Sequence, residues 1–192
     1  MTVIDDLSRM ASHMIEGVMV HEQLMNVYLF AGLYGESVKH KSHYLAESQN
    51  YADLCEYCMK VYGVLVNASI KSTAIPSLIP KSWLSSSQFD LDYDTRIEII
   101  KSADDEWIKW ETETLDLYND IYSHLIASSS SSTSEFIKKY ILDVESELIE
   151  AKREKLEHSA VNYDMPFIME RQETMEHLYN KEIYKHIKEK LK

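Results

Sequence analysis

Four glutamates carry the chemistry this sequence is best equipped for: Glu22, Glu47, Glu113 and Glu147. Each lies in a stretch with helical periodicity, and Glu147 falls inside an apolar stripe running Ile137, Ile141, Val144, Leu148 and Ala151. Antiparallel helices joined by a short turn place residues equally far from the turn at equal depth. With Gly35 as the first apex, Glu22 stands 13 positions before it and Glu47 12 after. With Ser130 as the second, Glu113 stands 17 before and Glu147 17 after. Two hairpins packed together would then gather four carboxylates in one interior. Four like charges in a dry core repel unless they are protonated or bridged by cations. Divalent metal is the economical bridge, and hard oxygen ligands suit iron or manganese. Taken singly, any of these glutamates could instead sit at a helix boundary and reach water.

Neighbouring residues extend the donor set. His43 lies one turn before Glu47, His21 is next to Glu22, and Asn50 and Asp143 lie in reach as reserve ligands. Glu111 sits between Ile108 and Leu115, and Glu113 between Trp110 and Leu117, so only one of the two can point fully inward. Equal depth about Ser130 matches Glu113 to Glu147, and which of Glu111 and Glu113 faces the core stays open at this point. Cys55-Glu56-Tyr57-Cys58 matches Cys-x-x-Cys but lies mid-helix, with no second pair and no preceding strand. Both cysteines fall on apolar stripes and read as small core residues.

The elements that must position these groups follow from composition and period. In 192 residues there are 4 glycines and 3 prolines, too little punctuation for a strand-rich fold, so a few long helices are expected. A first helix is expected over 3–34 and a second from about Glu36 to Lys71. A connection of 21 residues over 72–92 contains two prolines and a triple serine, and is expected to be a long crossover. A third helix is expected over 93–127 and a fourth over 134–160, after the serine-threonine tract 128–134. Pro166 is suited to the first turn of a charged last helix. Residues 1–160 thus read as the bundle and 161–192 as an accessory C-terminal helix.

The formal net charge of −12 would repel phosphates, so nucleic acid is an unexpected partner. There is no apolar run of membrane-spanning length and no basic-then-apolar leader at residues 1–10, so no membrane partner and a cytoplasmic location are expected.

The plan of long helix, short turn, long helix, crossover, long helix, short turn, long helix resembles the ferritin-like family. So does Phe136-Ile137-Lys138-Lys139-Tyr140-Ile141 leading to Asp143 and Glu147, which looks like the start of the last bundle helix of ferritins. The resemblance covers roughly residues 3–160 and implies an all-α four-helix bundle, a homo-oligomer, and a centre of two irons. In that family single glutamates from two helices and a Glu-x-x-His from each of the others hold the metal. Carried over, Glu22 and Glu113 would be the single glutamates, and Glu47 and Glu147 the bridging pair. No Glu-x-x-His occurs in this sequence; Asn50 and Glu150 stand where the histidines would. The expected function is metal binding, with iron oxidation or sequestration at a carboxylate centre. The alternative is a metal-free bundle serving as a structural or protein-interaction module.

Overall fold

The computed structural model describes residues 2–69 and 87–190. Helix α1 spans Val3–Ala31, α2 Tyr34–Tyr62, α3 Tyr93–Ala127 and α4 Ser131–Ala160. Two further helices, α5 (Met165–Glu170) and α6 (Gln172–Lys190), follow. Most of the expected crossover lies outside the described residues. Its end is a 3₁₀ turn at Gln88–Asp90, after which the Asp92 carboxylate caps α3 through the Thr95 N–H.

The helix ends have local causes. Thr2 and Asp5 form a reciprocal capping box at the start of α1. Gly32, at φ 90°, stops that helix by taking the left-handed conformation that residues with a Cβ avoid. Gly32 and Leu33 alone separate α1 from α2. Gly63, at φ 66°, stops α2 in the same way, nine residues short of the end expected from the sequence at Lys71. The serine tract contributes only a tight turn, because Ser131–Ser134 already belong to α4. Arg96 clasps the α1–α2 corner, donating to the Ala31 carbonyl at 2.7 Å and to Gln88 O at 2.6 Å.

Helices α1 and α2 form one antiparallel hairpin and α3 and α4 the other, with α1 packed on α3. The apolar core comes in two halves. One gathers Leu24, Tyr28, Ile100 and Trp107; the other gathers Leu7, Met14, Leu54, Tyr118, Ile121 and Ile137. Between them the inward positions are polar. On α2 the buried run is Gly35, Glu36, Ser37, Lys39, His40, Ser42, His43 and Glu47, with nothing apolar before Leu54. Burying so many polar groups costs free energy that packing does not return. A fold that retains them holds them for another purpose.

Helix α6 lies on α2. Gly35 lets it approach: a Cβ there would stand 2.6 Å from the Gln172 carbonyl oxygen. The Glu36 N–H, left over at the start of α2, donates to Gln172 Oε1 at 3.1 Å. No helix among the described residues is long and apolar enough to cross a membrane.

Candidate metal centre

The polar midsection has two layers. In the first, His21 of α1, His43 and Glu47 of α2, Glu111 of α3 and Glu147 of α4 converge. One donor atom each from His21, Glu111 and Glu147 lies within 4.8 Å of the others. His21 Nε2 is 3.5 Å from Glu111 Oε1, and His43 Nδ1 is 3.4 Å from Glu147 Oε1. Trp107 Nε1 donates to Glu111 Oε1 at 3.0 Å and fixes that carboxylate. Glu47 enters from α2 through space left by Gly17, whose added Cβ would sit 3.5 Å from Glu47 Cδ.

Four buried atoms in this layer have no hydrogen-bond partner: His21 Nε2, His43 Nε2, Glu47 Oε2 and Glu147 Oε2. Buried polar atoms are nearly always satisfied, so four in one place mark a missing partner.

The charges in this layer are shifted by burial and by one another. Burial, with Glu147 and Glu111 nearby, pushes the Glu47 carboxyl well above its ordinary range. Burial and Glu147 do the same to Glu111. Burial, helped by His43, lowers His21 to about 3, so it is a neutral donor. For His43, burial is outweighed by Glu147, and its pKa rises to about 9. Glu147 is correspondingly held below the usual carboxylate value by His43, against the effect of burial. Near neutral pH the layer therefore holds a His43–Glu147 ion pair and a neutral His21 imidazole, with burial biasing Glu47 and Glu111 toward their protonated forms. Two imidazoles and three carboxyls suit iron, manganese or zinc. A part-open cleft of about 400 Å³, lined by Ser42, His43, Glu147, Glu150 and Tyr179, leads to the layer.

The second layer lies toward the α1–α2 turn. Lys39, fully buried, donates to the Glu36 and Glu154 carboxylates and lies 4.4 Å from the Trp107 ring centre. His158 Nδ1 pairs with Asp104 Oδ2 at 2.9 Å, and the Tyr28 hydroxyl donates to Asp104 Oδ1 at 2.6 Å. His40 joins the layers: its ring stacks on Tyr28, and its Nδ1 lies 3.2 Å from His21 Nδ1.

Of the glutamates expected to converge, Glu47 and Glu147 do. Glu22 and Glu113 lie exposed on outer faces, and this corrects their expected placement. The inward track of α1 runs through Met14, Gly17, His21, Leu24 and Tyr28, one residue out of step with the stripe through Val18, Glu22 and Met25. Gly17 and His21 hide that track in the sequence because neither is apolar. On α3, Glu111 is the inward residue, and Glu113 is rotated from it by about 200°. Among the reserves, His43 reaches the centre, Asp143 is exposed and Asn50 is half-buried. His21 was visible in the sequence as an imidazole of no assigned depth. Lys39, Glu36, Glu154 and His158 gave no signal of their kind, except that seven and four residues separate Glu147, Glu154 and His158 on one helix face. Cys58 is buried in the core and both cysteines are free.

No protein-family model matches this sequence, and no curated protein does. Solved structures do. The open-pore ferritin of the archaeon Archaeoglobus fulgidus is similar with a TM-score of 0.68 at 12% identity, over 91% of this chain and 95% of that one. The Chlorobium tepidum ferritin gives a TM-score of 0.66 at 15% identity, over 84% and 86%. A PmFTN variant soaked in iron gives 0.68 at 9% identity, over 88% and 96%. The chain has the ferritin-like fold, a four-helix bundle built from two antiparallel hairpins.

Proposed function

We propose that the protein binds a divalent transition metal, iron(II) first among them, at the layer formed by His21, His43, Glu47, Glu111 and Glu147. The carrying observation is the convergence there of four buried polar atoms that lack partners. Their chemistry fits the role: two imidazole nitrogens and three carboxyls can surround one ion and neutralise it. Glu111, oriented by Trp107, and Glu147, facing the cleft, would be the charged ligands, with His21 the neutral one. A ferritin-like scaffold supports iron as the cargo, since one of the similar structures was soaked in that metal. The site's own part in uptake is to exchange protons for metal. As an ion enters, protons held by the buried carboxyls and by His43 give way to it, and the apolar halves on either side limit competing water. Retention of iron, and its oxidation by dioxygen, are the activities this centre would serve.

The test is elemental analysis of the native chain after anaerobic Fe(II) addition and desalting. Iron retained by the native chain and lost in Glu111→Ala and Glu147→Ala supports the reading. Equal retention in all three overturns it. The homo-oligomer expected from the resemblance stands with this proposal, and light scattering tests it against the chain mass of 22.4 kDa.

A further inference from the structure

The second polar layer has the parts of a metal site with an ammonium in the middle. Glu36, Glu154 and His158 are all buried, and one donor atom from each lies within 4.8 Å of the others. His158 is held at Nδ1 by Asp104, which is itself held by the Tyr28 hydroxyl, so Nε2 is turned toward Glu36 Oε1, 3.9 Å away. A carboxylate fixing the far nitrogen of an imidazole is the usual outer support of a histidine ligand. Between the two glutamates stands Lys39 Nζ, bonded to both, with no solvent exposure.

We propose that this cluster is a divalent-cation site permanently filled by the Lys39 ammonium. The native chain then takes up metal at the His21–Glu111–Glu147 centre alone, and loss of the ammonium turns Glu36, Glu154 and His158 into a second metal site. The count of one in the native chain rests on the function proposed above; the latent site does not. The layers are separate sites and not halves of one dinuclear centre. Glu147 and Glu154 are seven residues apart on α4, about 10 Å along its axis. Metal ions that share bridging ligands lie about 4 Å apart.

The physical case is charge. Two carboxylates in a dry layer need a positive partner, and the fold supplies a tethered one. Burial alone would strip the proton from Lys39, but Glu154 and Glu36 outweigh it and hold its pKa above the ordinary lysine value. The lysine also spares the bundle any dependence on metal in this layer. Trp107 gives the ammonium a ring face on a third side, a contact made by organic cations and guanidinium groups as well.

Equilibrium dialysis against Mn(II) tests the inference on three full-length proteins: native, Lys39→Ala, and Lys39→Ala with Glu154→Gln. The expected saturations are about one, about two and about one ion per chain. A Lys39→Ala protein that binds no more Mn(II) than the native chain overturns the inference. So does a native chain that already binds two ions and loses one on Glu154→Gln alone. A native chain that binds none beside a Lys39→Ala chain that binds one refutes the proposed function and leaves the latent site standing. If Lys39→Ala does not fold unaided, it is refolded with Mn(II) present. Metal-dependent cooperative refolding supports the site, and a chain unfolded in both conditions contradicts it.

Discussion

His43 Nδ1 stands 3.4 Å from Glu147 Oε1 in the middle of the bundle, an ion pair that joins α2 to α4 across the candidate centre. It sets the pH dependence of the metal-free protein. The folded pKa of His43, about 9, lies above its ordinary 6.5. Its contribution is therefore complete below pH 6.5 and is lost as pH rises through 9, about 3 kcal/mol in all. Buried His21 and half-buried His13, lowered by burial to about 3 and about 4, act oppositely. Their contribution is complete above pH 6.5 and is lost as pH falls toward those values. Urea midpoints of the metal-free protein should thus fall on both sides of about pH 6. His43→Gln should flatten the alkaline limb; an unchanged limb contradicts the ion pair's role.

Metal uptake should release protons. Because burial biases Glu47 and Glu111 toward protonation and His43 is charged in the metal-free layer, a divalent ion displaces protons as it binds. Affinity therefore rises with pH across the neutral range. Calorimetry in buffers of different ionisation enthalpy reads the number directly. An enthalpy independent of buffer would place binding elsewhere.

Exposure sorts the glutamates by consequence. Glu22→Ala and Glu113→Ala remove side chains from outer faces, and each should change stability by less than about 0.5 kcal/mol and leave metal retention intact. Glu111→Ala should abolish retention. Retention lost in Glu113→Ala and kept in Glu111→Ala would reverse the assignment on α3.

Gly17 makes room for the centre. A Cβ there would meet Trp110 Cζ2 at 3.3 Å and Glu47 Cδ at 3.5 Å, so Gly17→Leu must displace the Glu47 side chain. Metal affinity should fall at least tenfold with the helical content unchanged, as titration followed by circular dichroism would show.

Gly35 does the same for α6. Gly35→Ala sets a Cβ 2.6 Å from backbone, at the Gln172 carbonyl oxygen, so α6 must shift off α2 at a cost of about 1–3 kcal/mol. Hydrogen exchange should accelerate in α6 and remain slow in α1 and α3. Uniform protection in α6 would mean that the contact yields cheaply.

Much of the scaffold was legible in the sequence because long helices leave a clear period. The expected boundaries of α3 coincide with those observed, and the inward face of α4 from Ile137 to Ala151 is the one its apolar spacing marked. Glu147 was placed correctly in depth for that reason. What failed was rotation. On α1 the inward track contains a glycine and a histidine, so an apolar stripe one residue over looked continuous and carried Glu22 with it. On α3, Glu111 and Glu113 flank one turn, and only contacts such as Trp107 to Glu111 decide which one points in. The Lys39 layer was illegible for a different reason. A buried lysine is recognised by partners on other helices, and Glu154, 115 positions away, carries no mark in the sequence of facing it.

Metal bound in the interior between the two apolar halves would be visible as electron-dense scatterers in the bundle. Anomalous diffraction at the iron edge, from crystals grown after anaerobic Fe(II) loading, tests this placement most directly. The expected result is a peak inside the bundle within about 2.3 Å of His21 Nε2 and of carboxylate oxygens from Glu111 and Glu147. Iron confined to the outer surface, beside Glu22 or Glu113 for example, or no peak in a fully folded protein, would contradict it.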